Sequence, residues 1–315
     1  MATSDLVLGA MFFGTRSDRA TSYALLDRFV EAGGTTIDTA NCYAFWVSDT
    51  GSGGQSEAVV GDWLRLNQGL RDDLIISTKV GMEPLVPGVS DGRVEGLSAE
   101  VVAHECDLSR DRLGVESIDV YWAHGEDRSV PLEETVTAFG GLVTSGYVDR
   151  VGLSNHPTWR VERARAIALA DGLVPPTALQ LTTSYVRPRP DVAVSGNDHR
   201  FGFVTDETVD YVTEHPEIEL WAYGSLIQGS YDRVDRPFPE AYDHPGTTRR
   251  LEALTRVADR LGVTRGQLVL AWLLSSTPEI RPIVGVSSVG QLDEALDAAT
   301  LELSPELLQE LDTAR

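Results

Sequence analysis

What most constrains this chain is an alternation that runs its whole length. Short apolar runs take turns with segments of helical periodicity, eight times over. The runs 6–13, 35–39, 74–80, 117–124, 148–154, 178–182, 218–223 and 281–286 are mostly continuous in apolar character. Parallel strands read this way when both faces are covered. Helical patterns fill the gaps at 20–32, 56–66, 98–113, 131–145, 157–171, 205–214, 248–261 and 264–275, and again at 289–298 and 305–313. Gly33-Gly34 stops the first of them, Ser98 is placed to cap the third, and Pro131 and Pro157 stand in first turns, where a missing N–H costs nothing. Eight strand–helix units with right-handed crossovers predict an α/β fold of one type, a closed (β/α)8 TIM barrel. Such barrels run to ~250 residues before insertions, so the expectation is one domain spanning 1–315, with extended βα loops and C-terminal helices. An open doubly wound sheet would want a Gly-rich turn after its first strand. The first turn instead reads Met11-Phe12-Phe13-Gly14-Thr15-Arg16.

The longer connections, 44–55, 82–97, 184–202 and 224–245, all follow strands. They therefore fall on the barrel face where active sites are built. The stretch Gly51-Ser52-Gly53-Gly54 follows no strand and reads as a flexible insertion. Reactive side chains gather at the strand ends on that face: Asp38 with Tyr43 just beyond it, Lys79, His124, and Ser154-Asn155. Lys79 is the only lysine among 26 basic residues. An ammonium beside a phenol stabilises the phenolate, so the expectation is a tyrosine more acidic than usual. A carboxylate would hold the lysine charged, and an imidazole would orient or polarise a carbonyl oxygen. Each residue taken alone also has a plain structural reading, as a cap, a surface phenol or a satisfied core histidine.

The net charge of −22 argues against nucleic acid and anionic membranes as partners. The chain shows neither a leader pattern nor an apolar run of membrane-spanning length. Cys42 and Cys106 suggest free thiols in a reducing cytoplasm, with no metal site.

The segment Ile37-Asp38-Thr39-Ala40-Asn41-Cys42-Tyr43 resembles the Asp-Thr-Ala-x-x-Tyr signature of the aldo-keto reductases. The resemblance continues, in order, through Ser77-Thr78-Lys79-Val80, Asp119-Val120-Tyr121-Trp122-Ala123-His124, Val151-Gly152-Leu153-Ser154-Asn155, Leu179-Gln180 and the segment 281–288. It implies a catalytic tetrad of Asp38, Tyr43, Lys79 and His124, reducing an aldehyde or ketone with a nicotinamide cofactor. It also implies that Ser154, Asn155 and Gln180 bond the carboxamide, with Met11, Phe12 and Asp38 close by. Gly224, Ser225, Leu226 and Gln228 would embrace the pyrophosphate, and Gly285, Ser287, Ser288, Gln291 and Glu294 the adenosine end. NADP(H) is the family habit. Ser287 and Gln291 stand where basic residues are common, which leaves NAD(H) open, and Arg249 or Arg250 offers charge from elsewhere. Where the family places a stacking aromatic after the strand-six glutamine, this chain has Thr183, with Tyr185 two further on. The hairpin that often plugs the barrel bottom has no counterpart. Phe12, Phe45, Trp46, Trp122 and Trp159 are candidates for the substrate pocket. Two other readings of the same residues are a Schiff-base lyase on Lys79 and a non-catalytic cofactor-binding barrel.

Overall fold

The structure is a computed structural model and describes residues 5–194 and 201–314. Eight parallel strands form a closed barrel: β1 (Val7–Gly9), β2 (Thr36–Asp38), β3 (Ile75–Val80), β4 (Ile118–Ala123), β5 (Val148–Ser154), β6 (Ala178–Thr182), β7 (Glu219–Tyr223) and β8 (Ile280–Gly285). Each pairs with its neighbours in chain order, and β8 returns to β1. Helices α1 (Arg19–Glu31), α2 (Gln55–Leu66), α3 (Ala99–Leu113), α4 (Leu132–Thr144), α5 (Thr158–Ala170) and α6 (Asp206–Glu214) occupy the successive crossovers. The last crossover carries two, α7 (Pro245–Leu261) and α8 (Arg265–Leu274), and α9 (Val289–Ala299) and α10 (Pro305–Thr313) follow β8. Among the described residues, no helix is long and apolar enough to cross a membrane.

Local chemistry explains the helix starts. Asp18, Ser98, Thr205, Thr264, Ser288 and Ser304 each accept a first-turn amide through the side chain. Losing one such cap costs about 1 kcal/mol. Pro131 and Pro157 sit one residue earlier than expected, at the N-cap itself. The first strand is much shorter than the run 6–13. Ala10 still donates to the Asp38 carbonyl at 2.8 Å, and the chain then folds back so that Gly14 donates to the Ser17 carbonyl.

Tilted strands make hydrogen-bonded rows climb the barrel. Lys79, Trp122, Gly152, Ala178 and Glu219 are successive partners, so one row leads from the mouth to the opposite end. Side chains of this row point inward, as does every second residue along each strand. Val7, Val120, Trp122, Ala178 and Trp221 fill the interior, and the two tryptophan rings meet at 5.1 Å between centroids. Trp122 was a pocket candidate. Alternation sends it inside instead, fully buried beneath the mouth, where it is filler. Gly152 makes room for it, since a Cβ there would lie 2.1 Å from the indole.

Candidate active site

Two strand ends, β2 and β3, and the loop after β2 deliver the charged centre. Asp38 closes β2, Lys79 lies near the end of β3, and the loop after β2 turns Tyr43 back over both. Lys79 Nζ donates to Asp38 Oδ2 at 2.5 Å, to the Thr39 carbonyl at 2.8 Å and to the Tyr43 hydroxyl oxygen at 2.7 Å. Three acceptors engage the three protons of an ammonium, so Lys79 is held charged although burial pulls its pKa down. That geometry speaks against a neutral, nucleophilic lysine and thus against the Schiff-base reading. Asp38 Oδ1 accepts from Ser77 Oγ at 2.7 Å and from Gln180 Nε2 at 3.2 Å.

The expectation of an acidified phenol is overturned. Burial pushes the Tyr43 pKa well above its ordinary value, and the Asp38 charge adds to the rise. Desolvation is the larger cause and the Asp38 carboxylate adds to it, and together they outweigh the adjacent Lys79 ammonium. Tyr43 therefore holds its proton. Its own donation to Asp38 Oδ2 spans 3.4 Å, a weak bond that leaves the proton available to another acceptor. The His124 ring stands nearly edge-on to Tyr43, 5.6 Å between centroids. Asp38, Tyr43, Lys79 and His124 are thus assembled in one place.

Beside this centre the strand ends β5, β6 and β7 form a polar shelf. Asn155 adopts a left-handed backbone (φ 58°), a region asparagine tolerates better than most residues. Its Nδ2 donates to the His124 carbonyl at 2.9 Å and to Ser154 Oγ at 3.1 Å. Tyr223, at the end of β7, donates to Asn155 Oδ1 at 2.7 Å. Tyr185, the aromatic considered for stacking, is elsewhere: it is buried, bonds the Leu311 carbonyl at 2.9 Å and packs on Trp272. The aromatic side chain on this shelf is instead Tyr223, at the end of β7. The strand-end rule that found Lys79 and His124 applies equally to it.

The other candidate residues fall on the same face. Met11 and Phe12 are half-buried, and Phe12, Trp46 and Phe45 make successive edge-to-face contacts at 6.3 and 5.2 Å. Trp159 is 54% exposed on the first turn of α5, with Arg128 over its ring. Gly224, Ser225, Leu226 and Gln228 form a tight loop after β7 in which Gly224 (φ 69°) and Gln228 (φ 55°) are left-handed. Gly285, Ser287, Ser288, Gln291 and Glu294 are exposed around the start of α9. Gln291 Oε1 accepts from Ser287 N and Oγ, at 2.9 and 3.0 Å. Arg250 is committed to the Tyr185 carbonyl at 2.6 Å. Among the described residues no His, Cys, Asp and Glu group is arranged for a metal ion.

A second charged assembly went unread in the sequence. Glu95 Oε1 accepts from Asn41 Nδ2 at 2.9 Å, from Gly81 N at 2.6 Å and from Glu83 N at 3.3 Å. Glu105 takes the same Asn41 amide at 3.0 Å, and Glu83 accepts from Gly53 N at 3.0 Å. Burial pushes Glu95 up to about 7. These bonds tie the loop after β3 to the loop carrying Tyr43. They also correct the view of 51–54 as a flexible insertion. A Cβ on Gly53 would lie 2.1 Å from the Asn41 carbonyl, so glycine is there for close approach. Tertiary contact alone reveals this cluster; no local spacing announces it.

The family model of the Aldo/keto reductase family matches residues 5–315. The chain belongs to the aldo-keto reductases. It is 29% identical to norsolorinic acid reductase of Emericella nidulans, over 98% of this chain and 77% of that protein. It is 27% identical to the uncharacterised oxidoreductase YrpG of Bacillus subtilis, over 99% and 92% respectively. An aryl-alcohol dehydrogenase of Pestalotiopsis microspora is 26% identical over 98% and 78%. The chain is accordingly an NAD(P)H-dependent oxidoreductase of a family that acts on small carbonyl compounds.

Proposed function

We propose that residues 1–315 act as one barrel domain that reduces an aromatic aldehyde or aryl ketone, with Tyr43 as the proton donor. The observation carrying this reading is the 2.7 Å bond from Lys79 Nζ to the Tyr43 oxygen, with Asp38 behind it. As the carbonyl oxygen gains charge, Tyr43 passes it the phenol proton. Lys79 is already placed to stabilise the phenolate left behind, so no charge must be moved into position during the step. His124 orients the carbonyl.

The cofactor residues fit a nicotinamide dinucleotide. Ser225 Oγ is buried and has no partner in the loop after β7, a site that a phosphate or ribose oxygen would satisfy. Ser154, Asn155 and Gln180 would hold the carboxamide, and Tyr223 would face the ring. When bound, the reduced nicotinamide supplies the hydride for the carbonyl carbon. NADP(H) is the cofactor we favour. Its 2′-phosphate would meet Ser287, Ser288 and the amides opening α9 rather than a guanidinium, so NAD(H) should fall within about tenfold. The aromatic wall of Phe12, Phe45 and Trp46 supports the aryl substrate, as do the names of the relatives. The buried thiols of Cys42 and Cys106, neither of them in a disulfide, suit a reducing cytoplasm.

Consumption of NADPH with a panel of aryl aldehydes and ketones tests this reading. Native protein should turn over, and Tyr43→Phe should lose about 10²-fold or more in kcat. A Tyr43→Phe variant as fast as native protein would remove the assigned role. Cofactor binding without turnover on any carbonyl would favour the non-catalytic barrel.

A further inference from the structure

We infer that Cys42 is a positioning residue that decides which nitrogen of His124 carries the proton: its thiol donates to Nδ1, and the N–H is thereby kept on Nε2. The inference rests on the carbonyl-reduction reading only for the use to which that N–H is put.

Cys42 Sγ lies 3.4 Å from His124 Nδ1, a normal separation for a sulfur hydrogen bond. Two arrangements satisfy that distance, S–H donating to Nδ1 or Nδ1–H donating to sulfur. The surroundings choose the first. Cys42 is 4% exposed, and burial raises its thiol pKa well above the ordinary value. The charges of Glu83 and Glu95 raise it further, with Lys79 acting in the opposite sense. Sulfur therefore keeps its proton. A thiol sulfur is a poor acceptor, whereas an unprotonated imidazole nitrogen is a good one, so the favourable pairing is S–H to Nδ1. A neutral imidazole carries one N–H, which must then sit on Nε2.

The thiol is aimed by its neighbours. The Asn41 amide is held by Glu95 and Glu105 on one side of it. On the other, Tyr43 is held by Lys79. The Gly53 backbone closes over the Cys42 main chain, with a Cβ position only 2.6 Å from the Cys42 Cα. Little freedom is left to residue 42. The consequence is functional: an Nε2–H donates to a carbonyl oxygen and polarises it while Tyr43 supplies the proton. The other tautomer would present a lone pair to that oxygen and repel it.

The test is nitrogen NMR of the full-length protein labelled with 15N-histidine, with the His124 signals assigned by their loss in His124→Asn. Native protein should show His124 neutral, with its proton on Nε2. Cys42→Ala should shift that signature towards a tautomer mixture and lower kcat by roughly tenfold or more, with KM for NADPH unchanged. Cys42→Ser, which restores an O–H donor, should recover the native tautomer and most of kcat. A proton on Nδ1 in the native protein would overturn the inference, as would a Cys42→Ala protein matching native protein in tautomer and kcat. The native spectrum needs neither a stable variant nor turnover. A protein inactive on every carbonyl would therefore count against the proposed function, while a wrong tautomer in an active enzyme would count against Cys42 alone.

Discussion

Both ends of the barrel interior hold ion pairs, and they hold them differently. At the mouth, Lys79 and Asp38 are dry, with side chains 0% and 2% exposed. At the opposite end, Glu219 bridges Arg150 at 2.5 Å and Arg281 at 3.4 Å and takes the Trp221 indole N–H at 2.9 Å. Arg281 reaches on to Thr36 Oγ1 at 2.9 Å. Glu219 and Arg150 are each about a third exposed, 35% and 33%, so water screens that cluster. Burial alone would raise the Glu219 pKa, but the Trp221 bond and the two arginines outweigh it and hold the carboxyl below its ordinary value. The lower cluster lies at the end of the barrel opposite the mouth, part-buried and reached by water. The upper pair is desolvated, and it touches a phenol. Charge at the wet end is screened by solvent, whereas charge at the dry end is not.

The widest separation between the two ends should come from Lys79→Met. It leaves Asp38 buried without a partner, for a loss of about 3–5 kcal/mol in urea unfolding, and it should lower kcat by ~10²–10⁴-fold. The double variant Asp38→Asn/Lys79→Met should regain most of the stability and none of the activity. Recovery of turnover in the double variant would break the distinction. Glu95→Gln probes the carboxylate layer behind the mouth, where Glu83, Glu105, Glu57, Arg112 and Lys79 are the neighbouring charges. Its folded pKa is raised, so the folded state holds the extra proton. That contribution is intact below the unfolded value of about 4.3 and is lost as pH rises towards about 7, by at most ~4 kcal/mol. Melting curves from pH 5 to 8 should show native protein losing stability relative to Glu95→Gln. Parallel curves would contradict the assignment.

Alternation along the strands decided what was legible. Strand ends β5 and β6 fall where the apolar runs end, and the tetrad follows because each member stands on or just beyond a strand end. The same alternation shows that if His124 faces the mouth, Trp122 must lie below it. Cys42 against His124, Glu95 under Asn41 and Tyr223 on Asn155 all join elements distant in the chain, so no local pattern encodes them.

Gly152→Ala tests the filler that separates the two ends. The added methyl would meet the Trp122 ring at 2.1 Å, and overpacking of this kind costs about 1–3 kcal/mol. A stability equal to native in thermal melts would mean that Trp122 can move. The smallest effect belongs to the lower cluster. Glu219→Gln should cost about 1 kcal/mol once solvent screening is allowed for, with kcat unchanged. Because the Glu219 pKa is depressed, its contribution is present above the unfolded value and is lost as pH falls through the folded one. A large kcat loss would show that the two ends are coupled.

Tyr43 keeps its proton at neutral pH because burial and the Asp38 carboxylate outweigh the adjacent ammonium. Ultraviolet difference titration of native protein against Tyr43→Phe, read at the phenolate band from pH 6 to 9.5, tests it most directly. No phenolate signal belonging to Tyr43 is expected over that range, whereas a tyrosinate that forms in native protein below pH 8 and is missing from the variant would show that the phenol is acidified after all.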